Sequence, residues 1–179
     1  MINVEKKIRK TWKHMLTRCN DEQYKTQHAT YDKVDCCNEW LNFENFKNWM
    51  EQEENFNKIL TEEFHLDKDI VSKGNKFYCP ELCCLVPQKI NKLFTKRDTE
   101  RGIYPIGVCK KNQKYQARCN ANGKNKYLGV FDSIEEAFLA YKNYKENIIK
   151  QIAQEEYYKG NITQKCYEAM MTYRVEITD

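Results

Sequence analysis

Long hydrophobic runs are missing from this 179-residue chain, and so is any Cys-x-x-Cys spacing. No apolar stretch approaches the length needed to cross a bilayer, which excludes a helical membrane protein. The opening residues, Met-Ile-Asn-Val-Glu-Lys-Lys, hold no apolar signal core. That predicts a cytoplasmic protein, in the host cytoplasm if the chain is phage-encoded, with no membrane partner. In a reducing compartment nine cysteines are expected as free thiols rather than a disulfide framework. A zinc site from Cys36 or Cys37 with Cys79 and Cys83 lacks the usual knuckle spacing. The expectation is therefore small buried thiols filling a core, without zinc.

The most informative absence concerns acids. Residues 101–131 contain no Asp or Glu, while Arg101, Lys110, Lys111, Lys114, Arg118, Lys124 and Lys126 lie within them. The formal net charge is only +4, so the positive charge is concentrated rather than large. Three short strands are predicted there, around Gly107-Val108, Tyr115-Gln116-Ala117 and Tyr127 to Phe131. An Asn122-Gly123 turn joins the last two. Strand side chains alternate between faces, so one face can meet a helix and the other a partner. Cations with Tyr115 and Tyr127 among them suit a phosphate backbone. About five phosphate contacts give an expected log–log salt slope of roughly −4 to −5.

A capping box, Ser133 with Glu136 three residues on, starts the helix that follows. Its buried stripe is Ala137, Phe138, Tyr141, Tyr144, Ile148 and Ile152. Upstream, Ile8, Trp12, Met15, Leu16 and Cys19 recur at helical spacing. Residues 20–30 read as loop, 34–40 as a short extended piece, and Asn42 as the cap of a second helix over Phe43, Phe46, Trp49 and Met50. Residues 66–71 and 83–86 read as strands joined by a turn at Gly74-Asn75. Pro87 suits the first turn of a helix bearing Ile90, Leu93 and Phe94. Residues 95–104 read as linker. The tail holds a short helix near residues 166–170, and Val175 and Ile177 alternate like a strand.

The predicted class is α+β. An N-terminal helical segment and a strand–turn–strand–helix unit occupy residues 1–94. A three-stranded antiparallel sheet on one long helix occupies 105–153, and a helix–strand tail occupies 154–179.

Two resemblances rest on these motifs. Gly107-Val108, Tyr115-Gln116-Ala117, Tyr127-Leu128-Gly129-Val130-Phe131-Asp132-Ser133, Glu135-Glu136-Ala137 and Ala140-Tyr141 resemble the APETALA-type domain of plant ethylene-response factors. The resemblance implies a sheet laid in the major groove of double-stranded DNA. By analogy Lys110, Lys111, Lys114, Tyr115, Arg118 and Tyr127 make the contacts, with Lys124 and Lys126 adding basic charge. The first strand bears lysine and cysteine where that family is arginine-rich, so base preference does not carry over.

The front half resembles phage HNH homing endonucleases, through Trp12 to Cys19, Cys37-Asn38-Glu39-Trp40, Leu66-Asp67-Lys68-Asp69, Gly74-Asn75, Tyr78-Cys79-Pro80-Glu81 and Leu85-Val86-Pro87. An HNH (ββα-metal) unit implies Mg²⁺ or Mn²⁺ on the scissile phosphate and a neutral His activating water. The resemblance puts Asp67 at the metal carboxylate and Asn75 at the middle asparagine. It puts Lys68 at the general-base histidine and Leu82 at an amide ligand. A lysine of ordinary pKa is charged at neutral pH and accepts no proton. A continuous strand would bring His65, Asp67 and Asp69 to one side, with Glu81 adding an oxygen, as a substitute set of ligand and base. Three functions follow: a DNA endonuclease, a DNA-binding protein without cleavage, or a phage product that binds and inhibits a host enzyme.

Overall fold

The computed structural model describes residues 4–61, 63–94, 103–121 and 123–179. Most of the expected linker, Arg101 and Asn122 lie outside them. The fold is α+β, with a three-stranded antiparallel sheet packed on a long helix. No helix among the described residues is long and apolar enough to cross a membrane.

Helix α1 (Val4–Asn20) buries Ile8, Met15 and Cys19 along one stripe. Residues 22–27 form a short helix, α2 (Glu22–Gln27), where the sequence reads as loop. Asp21 starts it by accepting from the Tyr24 amide at 2.9 Å. That local side-chain bond supplies what an apolar stripe otherwise would. Strand β1 (Asp35–Cys36) is followed by a 3-10 turn over Asn38–Leu41. Asn42 then caps α3 (Phe43–Gln52) through the amides of Glu44 and Asn45. A short α4 (Phe56–Thr61) leads to β2 (Phe64–Asp67).

Strand β2 pairs antiparallel with β4 (Cys84–Pro87), while β3 (Phe77–Tyr78) pairs parallel with β1. Helix α5 (Gln88–Phe94) completes the strand–turn–strand–helix unit. Pro87 closes β4 opposite Phe64 instead of opening the helix. Its missing N–H suits a strand end as well as a first helical turn.

Strands β5 (Val108–Lys111), β6 (Lys114–Ala121) and β7 (Lys124–Phe131) form the basic sheet with β6 central. Helix α6 (Ile134–Tyr158) starts at the Ser133–Glu136 capping box. Helix α7 (Gln164–Thr172) follows, capped by Thr163. The tail beyond α7 is irregular, with Val175 buried and Ile177 exposed, so the alternation there does not make a strand.

Three apolar cores result. The first packs α1, α3 and Trp40 on Leu66 and Leu85. The second joins Cys84, Val86, Ile90 and Leu93 to Ile149, Ile152, Cys166 and Met170. The third sets Val108, Ala117 and Cys119 on Ala137, Phe138 and Tyr141. Helix α6 has 25 residues, about 37 Å at the α-helical rise. Its first half serves the sheet and its second half the β2–β4–α5 unit, so one rod carries both layers and passes through residue 153. The cysteines contribute as small apolar groups, since Cys19, Cys36, Cys79, Cys83, Cys84, Cys119 and Cys166 are free and buried.

Candidate functional site

The sheet face is set by register. Val108 pairs with Ala117, and Ala117 with Gly129, on the side facing α6. The opposite side carries the pairs Lys111–Lys114, Cys109–Gln116, Gln116–Val130, Arg118–Tyr127 and Asn120–Asn125. A register shift between Ala117 and Arg118 inserts Leu128, which keeps Tyr127 outward beside Arg118. Tyr127 is 53% exposed. Its register partner Arg118 is exposed, as are Lys111 and Lys114 farther along the same face. Lys114 pairs with Asp132 at 2.8 Å, which raises its pKa and shares its charge.

The expected contacts do not all share this face. Tyr115 is half-buried on the helix side, against the third core and edge-on to Tyr104 at 5.9 Å. Its partners Lys110 and Phe131 place it there, because side chains flip at each residue along a strand. Lys110 and Lys126 are exposed, but their register partners are Tyr115 and Cys119 on the helix side. Lys124 pairs with Ala121 at the hairpin end. Cys109, Gln116, Asn120 and Asn125 stand on the outward register without having been singled out. Gln116 is nonetheless buried, so of the β6 residues counted by twos from Arg118 it is Asn120 that stands exposed.

The second candidate lies where β2 ends. The strand stops at Asp67 because Asp67 Oδ1 accepts from the Asp69 and Ile70 amides at 2.8 and 2.9 Å. Asp69 is therefore in a turn and not on the strand face with His65 and Asp67, which overturns the one-sided ligand set. Asp67 is 8% exposed, and burial raises its pKa against the lowering by those two amide bonds. Lys68 is 5% exposed. Its Nζ donates to Asp69 Oδ2 and to the Asn75 carbonyl, both at 2.7 Å.

Asn75 ties the loop. Its Nδ2 donates to the carbonyls of Lys68 (2.9 Å) and Phe77 (2.7 Å), and its Oδ1 accepts from the Phe77 amide (3.0 Å). Asn75→Ala removes all three bonds and is expected to cost about 2 kcal/mol. Urea unfolding reads that loss, and hydrogen exchange should speed up across residues 68–77 first. Unchanged protection there would mean the tie is not needed.

His65 sits on the Asp67 side of β2, but its ring turns to other partners. Nδ1 is 3.3 Å from Asn91 Nδ2 on α5, and Nε2 is 3.7 Å from Glu63 Oε1. Asn91 carried no sequence signal, since only packing of α5 on the ribbon brings it to His65. Glu81 is exposed, and its carboxylate bonds back to its own backbone and to the Cys79 thiol.

Hard divalent ions want about six oxygens around one point. Here Asp67 Oδ1 serves two amides, Asp69 Oδ2 holds an ammonium, and both side-chain atoms of Asn75 are engaged. No three His, Cys, Asp or Glu side chains among the described residues are grouped to hold a metal. The side chains as arranged do not fit Mg²⁺ or Mn²⁺. No family model, curated protein or solved structure matches the chain.

Proposed function

We propose that the protein binds duplex DNA through the outward face of the β5–β6–β7 sheet. The β2–β4–α5 unit then serves as a scaffold that retains an HNH-like form without its hydrolytic chemistry. The observation carrying this reading is the shared outward register of Lys111, Lys114, Arg118 and Tyr127, with α6 covering the other side. The cations meet phosphates, Tyr127 offers an aromatic surface, and the exposed Asn120 and Asn125 offer amides to base edges. Lys68 supports the non-hydrolytic half, because a buried, ion-paired ammonium is no general base.

With three outward cations the salt slope should be about −3, shallower than charge counting along the sequence gives. Lys111→Ala with Arg118→Ala should flatten that slope by about 2 and weaken binding about 30-fold at 0.15 M salt. Lys126→Ala, on the other register, should change affinity by less than about 3-fold. Fluorescence anisotropy of a labelled duplex reads all three. Equal losses from Lys126→Ala and Arg118→Ala would remove the face assignment. Supercoiled plasmid should stay intact with Mg²⁺ or Mn²⁺. Nicking that disappears in His65→Ala or Asp67→Ala would replace the scaffold reading with a nuclease.

A further inference from the structure

We propose that the outer stripe of α1 is a second phosphate-binding surface, taking the backbone of duplex DNA independently of the sheet. Helix α1 carries Lys6, Lys10 and Lys13 at four- and three-residue steps, so the three exposed lysines share one side. His14 stands exposed beside them. Together with Arg9 they line an open concavity of 260 Å³ that has no acid in its wall. Either surface can bind while the other fails.

The only acid of α1, Glu5, is already taken by Arg9 at 2.7 Å. Lys10 and Lys13 have no ion pair or hydrogen bond among the described residues. On α6, by contrast, Lys142 is offset by Glu146 one turn on. Like charges three and four residues apart repel along a helix, so the stripe works against α1 taken alone. An anion laid across it removes that repulsion. The His14 pKa is lowered by partial burial and by the charges of Lys10 and Arg18, as a positive field without an anion requires.

The rest of the helix narrows the partner. From Lys6 to Lys13 the helix rises about 10 Å, the axial span of about three phosphates on one strand. The apolar side of α1, with Ile8, Met15 and Cys19, is buried in the first core, so the helix has no apolar face to lay into a membrane. Trp12 packs on the same core and donates to the Trp40 carbonyl at 2.7 Å. The stripe is thus left without a large aromatic on which unpaired bases would stack. What remains is a row of charge, which suits phosphates rather than base edges.

Acetylation of the full chain, read lysine by lysine by mass spectrometry, tests it with and without an excess of a duplex of about 12 base pairs at about 50 mM salt. Lys10 and Lys13 should react about 5-fold more slowly with duplex present. Lys33, exposed and flanked by Asp32 and Asp35, should keep its rate. Protection of Lys10 and Lys13 without Lys111 and Lys114 would support this surface and remove that of the sheet. The reverse pattern would overturn the proposal and leave the sheet. In a chain already carrying Lys111→Ala and Arg118→Ala, adding Lys10→Glu and Lys13→Glu should weaken the residual binding by about 10-fold at the same salt. An unchanged affinity there would also overturn it, as would protection of Lys10 and Lys13 by phosphatidylserine vesicles and not by duplex.

Discussion

Gly107→Ala is expected to destabilise the protein by about 3–4 kcal/mol, seen as a fall of about 10 °C in melting temperature. Two causes add. Gly107 has φ +78°, in the left-handed region, where a side chain costs about 1–2 kcal/mol. A Cβ there would lie 2.0 Å from Cδ2 of Tyr141 and 2.4 Å from its Cγ. Tyr141 is 4% exposed in the third core, so its ring has nowhere to swing. Gly107 also receives the Arg118 amide on its carbonyl at 2.8 Å, which locks the start of β5 to β6. Gly74→Ala is the control. Its φ is +76° with nothing within 4 Å of the added atom, so only the backbone cost of about 1 kcal/mol remains. Equal losses from the two substitutions would mean that α6 does not press on the sheet at Gly107.

Glu156→Ala is expected to cost about 3 kcal/mol. The side chain is fully buried, at the second half of α6. Lys89 on α5 donates to Oε1 at 2.6 Å, and Asn161 donates to Oε2 at 2.9 Å. The Asn161 carbonyl in turn accepts from Asn55 Nδ2, which also donates to the Leu85 carbonyl. The carboxylate thus ties α6 to the β2–β4–α5 unit and, through Asn55, to the segment after α3. Truncation strands Asn161 Nδ2, in a side chain whose Oδ1 is already buried without a partner among the described residues. Water can reach Lys89, whose side chain is 48% exposed, so the loss stays near the lower end for a buried pair.

Burial pushes the Glu156 carboxyl up, but the bonds from Lys89 and Asn161 outweigh it, and its pKa is lowered. A lowered folded-state pKa gives stability that is fully present above the unfolded value of about 4.3. That stability is lost as pH falls through the folded value. The difference between wild type and Glu156→Gln should therefore be largest near neutral pH and shrink below about pH 4. Denaturant melts at pH 7 and pH 3 read it, and a gap of constant size would contradict the ion pair.

Much of the local structure is legible in the chain because its causes are local. Ser133 with Glu136, and Asn42 before Phe43, bond to amides two or three residues away. The stripe from Ile8 to Cys19 fixes which side of α1 is buried. The three strands of the basic sheet follow from short apolar–polar alternation and tight turns. Strand ends were harder to read. Asp67 stops β2 by folding its carboxylate onto the next two amides, and nothing in Leu66 to Val71 distinguishes that from a longer strand.

The candidate sites divide in the same way. That cations cluster between residues 101 and 131 is a property of the sequence. Which of them look outward is decided by register with Ala117 and by the inserted Leu128, and Tyr115 falls on the other side. Glu156 and Asn161 carry no signal in the sequence, and only packing buries them and turns Lys68 inward to Asp69 and the Asn75 carbonyl.

By itself the sequence determined the helix starts at Asn42 and Ser133, the apolar stripes, the three-stranded sheet and the acid-free basic segment, all of which depend on neighbours within a few residues. Only the tertiary structure decided that α6 carries two cores, that Lys68 points inward, and that Lys89 meets Glu156 across 67 positions. Burial and charge pairing at that separation depend on how whole elements stack, which no local pattern records.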